Sequence, residues 1–220
     1  IEVKVNKLVK RSIIYLVIFY FIAVSYLIGQ EVQATESVEV IDWDRILRHF
    51  NAYVDNPSKE NALELLNSIP PDRVYREVGD GRKADRIIFG EDYVILYEEA
   101  VAGDRVAVEI LFRFLNITDG GRLEMVMSDL GLIVRLWPRL FLEVLSKYKD
   151  ISYVKRFGWP VSFIGMGHNM HPVAEIHILK KRIEALSSVD CAEYNELKQA
   201  CIKTIEERIK QIESSTNLKK

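Results

Sequence analysis

Three of the chain's four histidines, His168, His171 and His177, fall within ten residues, and Met166 and Met170 flank the first of them. In an extended segment alternate side chains share a side, so Met166, His168 and Met170 would point one way. Thioether and imidazole together suit a soft ion such as Cu(I). The imidazoles of His168, His171 and His177 offer nitrogen to Zn²⁺ instead. The spacing matches no defined ligand motif. Methionines also fill gaps in cores, and His171, just before Pro172, is placed to satisfy backbone groups at a helix start. No cofactor is therefore the base expectation, with copper or zinc as the alternative.

Other chemistry is more dispersed. Glu98, Glu99, Glu109, Glu124 and Asp129 supply carboxylates, and a catalytic pair needs two of them a few ångströms apart across the fold. Neither a Gly-x-Ser-x-Gly elbow nor a phosphate-cradling glycine loop occurs. Gly79-Asp80-Gly81-Arg82-Lys83 has backbone and base for an anion, and equally reads as a solvated turn. Trp137, Phe141, Trp159 and Phe163 would anchor a ligand if they lined a groove, and fill the core if they did not. Cys191 and Cys201 could form a disulfide only if the chain turns between them. On one helix ten residues separate them by about 15 Å, and a bridge needs Cα atoms within about 7 Å. Asn116-Ile117-Thr118 is a glycosylation sequon.

The first 34 residues set the compartment. Lys4, Lys7, Lys10 and Arg11 precede an apolar run from Ile13 to Ile28 that only Ser25 interrupts, and Val32-Gln33-Ala34 follows. Basic flank, apolar run and small residue are the order of a cleavable export signal. The run is also close to the length that spans a ~30 Å hydrocarbon core, so an uncleaved membrane anchor at residues 13–28 is the alternative. Both place the rest of the chain outside the cytoplasm, periplasmic or secreted, and membrane contact is expected only through this segment. Residues 35–220 carry a formal charge of −4. That balance argues against nucleic acid as a partner, which calls for clustered excess base.

The elements that must position these side chains read as helices. Asp42 caps a helix to about Val54, with Ile46, Leu47, Phe50 and Val54 on one face. Leu63, Leu65, Leu66 and Ile69 mark a second, and residues 72–78 a short third. Ile87, Ile88 and Phe89 have the composition of a strand start, after a loop tip at Gly79-Asp80-Gly81. Tyr93, Leu96, Tyr97 and Ala100 recur at helical spacing. Asp104 opens a helix with Ala107, Ile110, Leu111, Phe114 and Leu115 apolar. Leu123 to Trp137 is apolar on nearly every side, the pattern of a buried central helix. Pro138 restarts the pattern to about residue 149, and residues 150–171 lack periodicity. Pro172 begins a helix with Val173, Ile176, Leu179, Ile183 and Leu186 facing one way. The last helix, to about residue 213, carries Ile202, Ile205, Ile209 and Ile212 as a narrow seam.

The expected organisation is thus residues 1–34 as signal or anchor, an all-α domain over 35–213, and a frayed polar tail over 214–220. Seven or eight short helices in antiparallel pairs imply an α–α superhelix of the HEAT-like kind or an irregular bundle. A stacked-helix surface is a common way to present an extended groove to a protein or peptide. The expected role is binding or scaffolding, with extracytoplasmic copper or zinc binding as one alternative and an enzyme with a carboxylate site as another.

Overall fold

The structure, a computed structural model, describes residues 41–71, 81–148, 160–163 and 171–216. The described residues are helical throughout: nine α-helices and two short 3-10 turns, with no strand among them. The expected helix over 72–78 and the apolar run 13–28 lie outside the described residues. No helix among the described residues is long and apolar enough to cross a membrane.

Helices α1 (Trp43–Asp55) and α2 (Lys59–Ser68) form the first hairpin. Asp42 caps α1 by accepting from the Arg45 N–H at 2.9 Å, and Ser58 caps α2 by accepting from the Asn61 N–H at 3.3 Å. These bonds satisfy donors that the first helical turn leaves without partners. Helix α3 spans Gly81–Ile88. The strand start expected at Ile87-Ile88 is therefore corrected, as is the loop at Gly81. Ala84, Ile87 and Ile88 are all enclosed, and a 3-4 spacing of buried positions fits the helical period rather than the period of two.

The second hairpin joins α4 (Tyr93–Ala102) to α5 (Arg105–Phe114). Gly103 closes α4 with φ +94°, where a side chain would be strained, and Asp104 caps α5 by accepting from the Ala107 N–H at 2.8 Å. The third joins α6 (Gly120–Leu136) to α7 (Pro138–Tyr148) through Trp137 alone.

Two sets of contacts fix how the second and third hairpins lie together. Tyr93 bonds Asp129, and the Trp137 indole bonds the Val101 carbonyl. Both pairs are 36 residues apart, so α4 and α6 run side by side in the same direction. Arg105 pairs with Glu143 and Glu109 with Lys147, each 38 residues apart, so α5 and α7 are parallel as well. Helix α2 lies on the other flank of α5, where Arg113 donates to the Ile69 carbonyl at 3.1 Å.

Helices α8 (Pro172–Ser187) and α9 (Asn195–Ser215) pair with each other. Cys201, Ile205, Ile209 and Ile212 form the buried seam of α9. In α8 the buried positions are Glu175, Leu179, Arg182 and Leu186. The expected stripe is corrected here: Val173 is 69% exposed, because the inward face runs 4-3-4 from Glu175 and includes two charged residues.

Arg182 explains that choice of face. Its guanidinium donates to the carbonyls of Val161 and Phe163, both at 2.6 Å, so it ties the short 160–163 segment to α8. It lies against Gly131 of α6, where a Cβ would overlap the guanidinium. Burial, with Arg135 nearby, lowers its pKa to about 10, which leaves it charged at neutral pH. Gly131→Ala is expected to lower stability by about 2–3 kcal/mol, the cost of overfilling a packed site. Chemical denaturation of Gly131→Ala, Arg182→Met and the double variant reads this out. Strictly additive losses would show that the overlap is not the cause.

Candidate functional site

The seam between α4 and α6 concentrates unusual side chains. Tyr93, at the start of α4, is 2% exposed and donates its hydroxyl hydrogen bond to Asp129 Oδ2 at 2.7 Å. Burial pushes the Asp129 carboxyl up to about 6, and the bond from Tyr93 offsets part of that rise. Burial and the adjacent carboxyl hold the Tyr93 phenol well above its ordinary value. The pair is thus a half-enclosed proton site that titrates just below neutrality.

Apolar exposure gathers along the same elements. Of the six large hydrophobic residues exposed among the described residues, Phe89, Val94, Leu136 and Trp137 lie on or directly beside α3, α4 and α6. Phe89 reaches toward Gly121 at the start of α6, and Trp137 stands at its end. Trp137 is 44% exposed, yet its position is set: its indole N–H donates to Val101 O at 2.8 Å. Its ring covers Gly103, where a Cβ would approach Cε2 to 2.9 Å.

The sequence-derived candidates separate in space. Phe141 is fully enclosed, with its ring centroid 5.4 Å from that of Phe112; an inward position on α7 makes it core, so it shares no surface with Trp137. Phe163 is half-buried and packs on the core, and its carbonyl serves Arg182. Trp159, Met166, His168 and Met170 lie outside the described residues. His171 and His177 are both exposed, six residues apart around α8. Among the described residues no group of three or more potential ligands stands together.

The carboxylates divide between two helix pairs. Asp129 is held by Tyr93. Glu109 lies between α5 and α7, where it accepts from Lys147 Nζ at 2.7 Å and from the Tyr148 hydroxyl at 3.1 Å. Glu98 and Glu99 face solvent, and Glu124 is half-buried. Arg82 and Lys83 sit in α3 instead of a turn.

Both cysteines are free thiols, so the disulfide between Cys191 and Cys201 is not formed. Cys191 precedes the 3-10 turn Ala192–Tyr194, whereas Cys201 lies inside α9, where burial pushes its thiol up to about 12. The sequon is sealed as well: Asn116 is 1% exposed and donates to the Pro71 carbonyl at 2.7 Å.

Sequence reasoning used Tyr93 only as a helical marker. The signal for its role was the polar Asp129 on a segment otherwise read as apolar all round, since a carboxylate there needs a partner. Comparison with protein-family models, curated proteins and solved structures gives no match for this chain.

The Asp129 pKa is higher folded than unfolded, so its favourable contribution is complete below about pH 4 and is lost as pH rises toward 6. Asp129→Asn keeps the acceptor for Tyr93 and removes the buried charge. Relative to the parent, this variant is expected to be about 2 kcal/mol more stable at pH 7.5 than at pH 4, after discounting for partial exposure. Denaturant midpoints of both proteins at the two pH values test this; a difference that does not change with pH would refute the assignment.

Proposed function

We propose that this chain is an exported or membrane-tethered helical binding module whose partner, a protein or peptide, docks on the α4–α6 seam. The observation that carries the reading is the row of exposed apolar residues along these two helices, with Phe89 against the start of α6, Val94 at the start of α4, and Leu136 and Trp137 at the end of α6. Isolated exposed apolar residues are ordinary, but several spaced along one helix pair that also holds a partly desolvated polar pair supply anchors for an extended partner. Trp137 enters the seam with its orientation fixed in advance, so less side-chain freedom is lost on docking.

The same reading extends to architecture. Two hairpins whose first helices run parallel, and whose second helices run parallel, support an α–α superhelix of the HEAT-like kind, which presents helix rows as extended surfaces. The basic flank and apolar run of residues 4–28 support export or tethering.

A photo-cross-linking residue in place of Val94 or Leu136, in the full-length chain in its native cells, tests the docking surface. A single abundant protein adduct is expected from both positions in the exported or membrane fraction, and none from the same residue at Glu206 on α9. Equal labelling from all three positions, or recovery in the cytoplasmic fraction, would reject the proposal.

A further inference from the structure

A second concave feature borders the end of α4, between the turns of the first and second hairpins. It is an open cleft of ≈310 Å³ where α2 and α5 both begin. Ser58, Lys59, Asp104 and Arg105 form its two turn edges, while Tyr53 and Glu99 form its floor and wall.

Three properties of this cleft point to a ligand. The first is Tyr53. It is 3% exposed, and its hydroxyl has no hydrogen-bond partner among the described residues. Burial first, then the Glu99 and Asp104 carboxylates, push its phenol up to about 12. At neutral pH it therefore stays protonated, able both to donate and to accept.

The second is the pair of helix starts. Ser58 and Asp104 cap Asn61 and Ala107, and the N–H groups of Lys59 and Arg105, in the first helical turns, have no backbone acceptor among the described residues. Two such ends side by side favour negative charge, and the Lys59 ammonium, with no ion pair among the described residues, adds to this. The third is the opposite charge in the same space. Glu99 makes no ion pair among the described residues, and Asp104 uses one oxygen, Oδ1, on its cap. Arg105 is turned away toward Glu143.

A bare anion would meet the two carboxylates, and a bare cation would meet two helix starts and Lys59. We propose that the cleft binds a small zwitterion, a free α-amino acid. Its carboxylate lies at the helix starts beside Lys59, its ammonium lies between Glu99 and Asp104, and the Tyr53 hydroxyl bridges the two. The volume leaves room for a side chain of about leucine size.

Isothermal titration of the full-length chain in detergent with L-leucine tests this. Saturable binding is expected, weakened about tenfold by N-acetylation, by amidation of the carboxylate, or by Tyr53→Phe, since each removes one hydrogen-bonded or charged contact. Tyr53→Phe should leave the thermal midpoint within a few degrees of the parent. Absence of binding, or leucine analogues that bind as well as leucine, would overturn the inference. Competitive binding of inorganic phosphate alone would overturn it in favour of a simple anion site. The Val94 and Leu136 cross-links report separately on the α4–α6 seam: adducts there without leucine binding remove this inference only, and leucine binding without adducts removes only the partner-docking reading.

Discussion

The register between α5 and α7 is the constraint on which most of the fold rests. Six of the ten residues of α5 are buried, and its charged residues, Arg105, Glu109 and Arg113, recur every four positions. That spacing puts all three on one helical stripe. Helix α7 answers with Glu143, Lys147 and Tyr148 in matching order. A helix with one polar stripe and apolar sides must be covered on every other face, and α2, α4 and α6 cover it. The polar stripe contributes little per pair at a partly exposed site. Its importance is geometric: sliding α7 by one turn would set Glu109 against Glu143 and leave Arg113 facing Lys147, so repulsion selects the observed alignment.

That alignment carries outward to the α4–α6 seam. Each hairpin is closed by a very short turn, so setting α5 against α7 sets α4 against α6. The Tyr93–Asp129 bond is available only in that register. A carboxylate half-removed from water is costly unless a donor reaches it, and Tyr93 supplies the donor at the one position where α4 begins. The proton site and the exposed apolar residues therefore share a cause: the two helices lie parallel and close, with one face of α4 and the last residues of α6 left exposed among the described residues.

How much of this was legible depended on whether the information was local. Caps at Asp42 and Asp104 and the restart at Pro138 were written in single residues, because each acts on the backbone within a few positions. The α9 seam was equally plain, since isoleucine at 3-4-3 spacing has one period and one partner. Helix α3 was misread because a short Ile-Ile-Phe run fits strand and helix alike until the buried Ala84 is known. Val173 was misassigned for the opposite reason. Hydrophobicity placed it inward, but Arg182 had already claimed the inward face through Gly131 and the carbonyls of Val161 and Phe163. A buried guanidinium cannot be anticipated from a helical wheel, because what permits it is a glycine fifty-one positions earlier. The two tyrosines had the same limit: Tyr53 and Tyr93 look alike in sequence, and only tertiary placement leaves one paired and the other without a hydrogen-bond partner among the described residues.

The junctions between successive hairpin turns show how small a difference separates a closed edge from an open one. Between the second and third turns, Trp137 lies over Gly103 and donates to Val101, so the space is filled by the chain's own indole. Between the first and second turns the matching edge carries Asp104 and Arg105 beside Pro57 and Ser58, and the space between them stays open as the cleft that Tyr53 lines. Gly103 serves both junctions. Its positive φ ends α4 soon enough for Asp104 to cap α5, and its missing Cβ admits the Trp137 ring. A side chain at 103 would strain the turn and lift the indole together, opening the second junction while disturbing the first. The protein's two candidate surfaces, the apolar seam and the polar cleft, are therefore coupled through one backbone position that neither of them exposes as a contact residue.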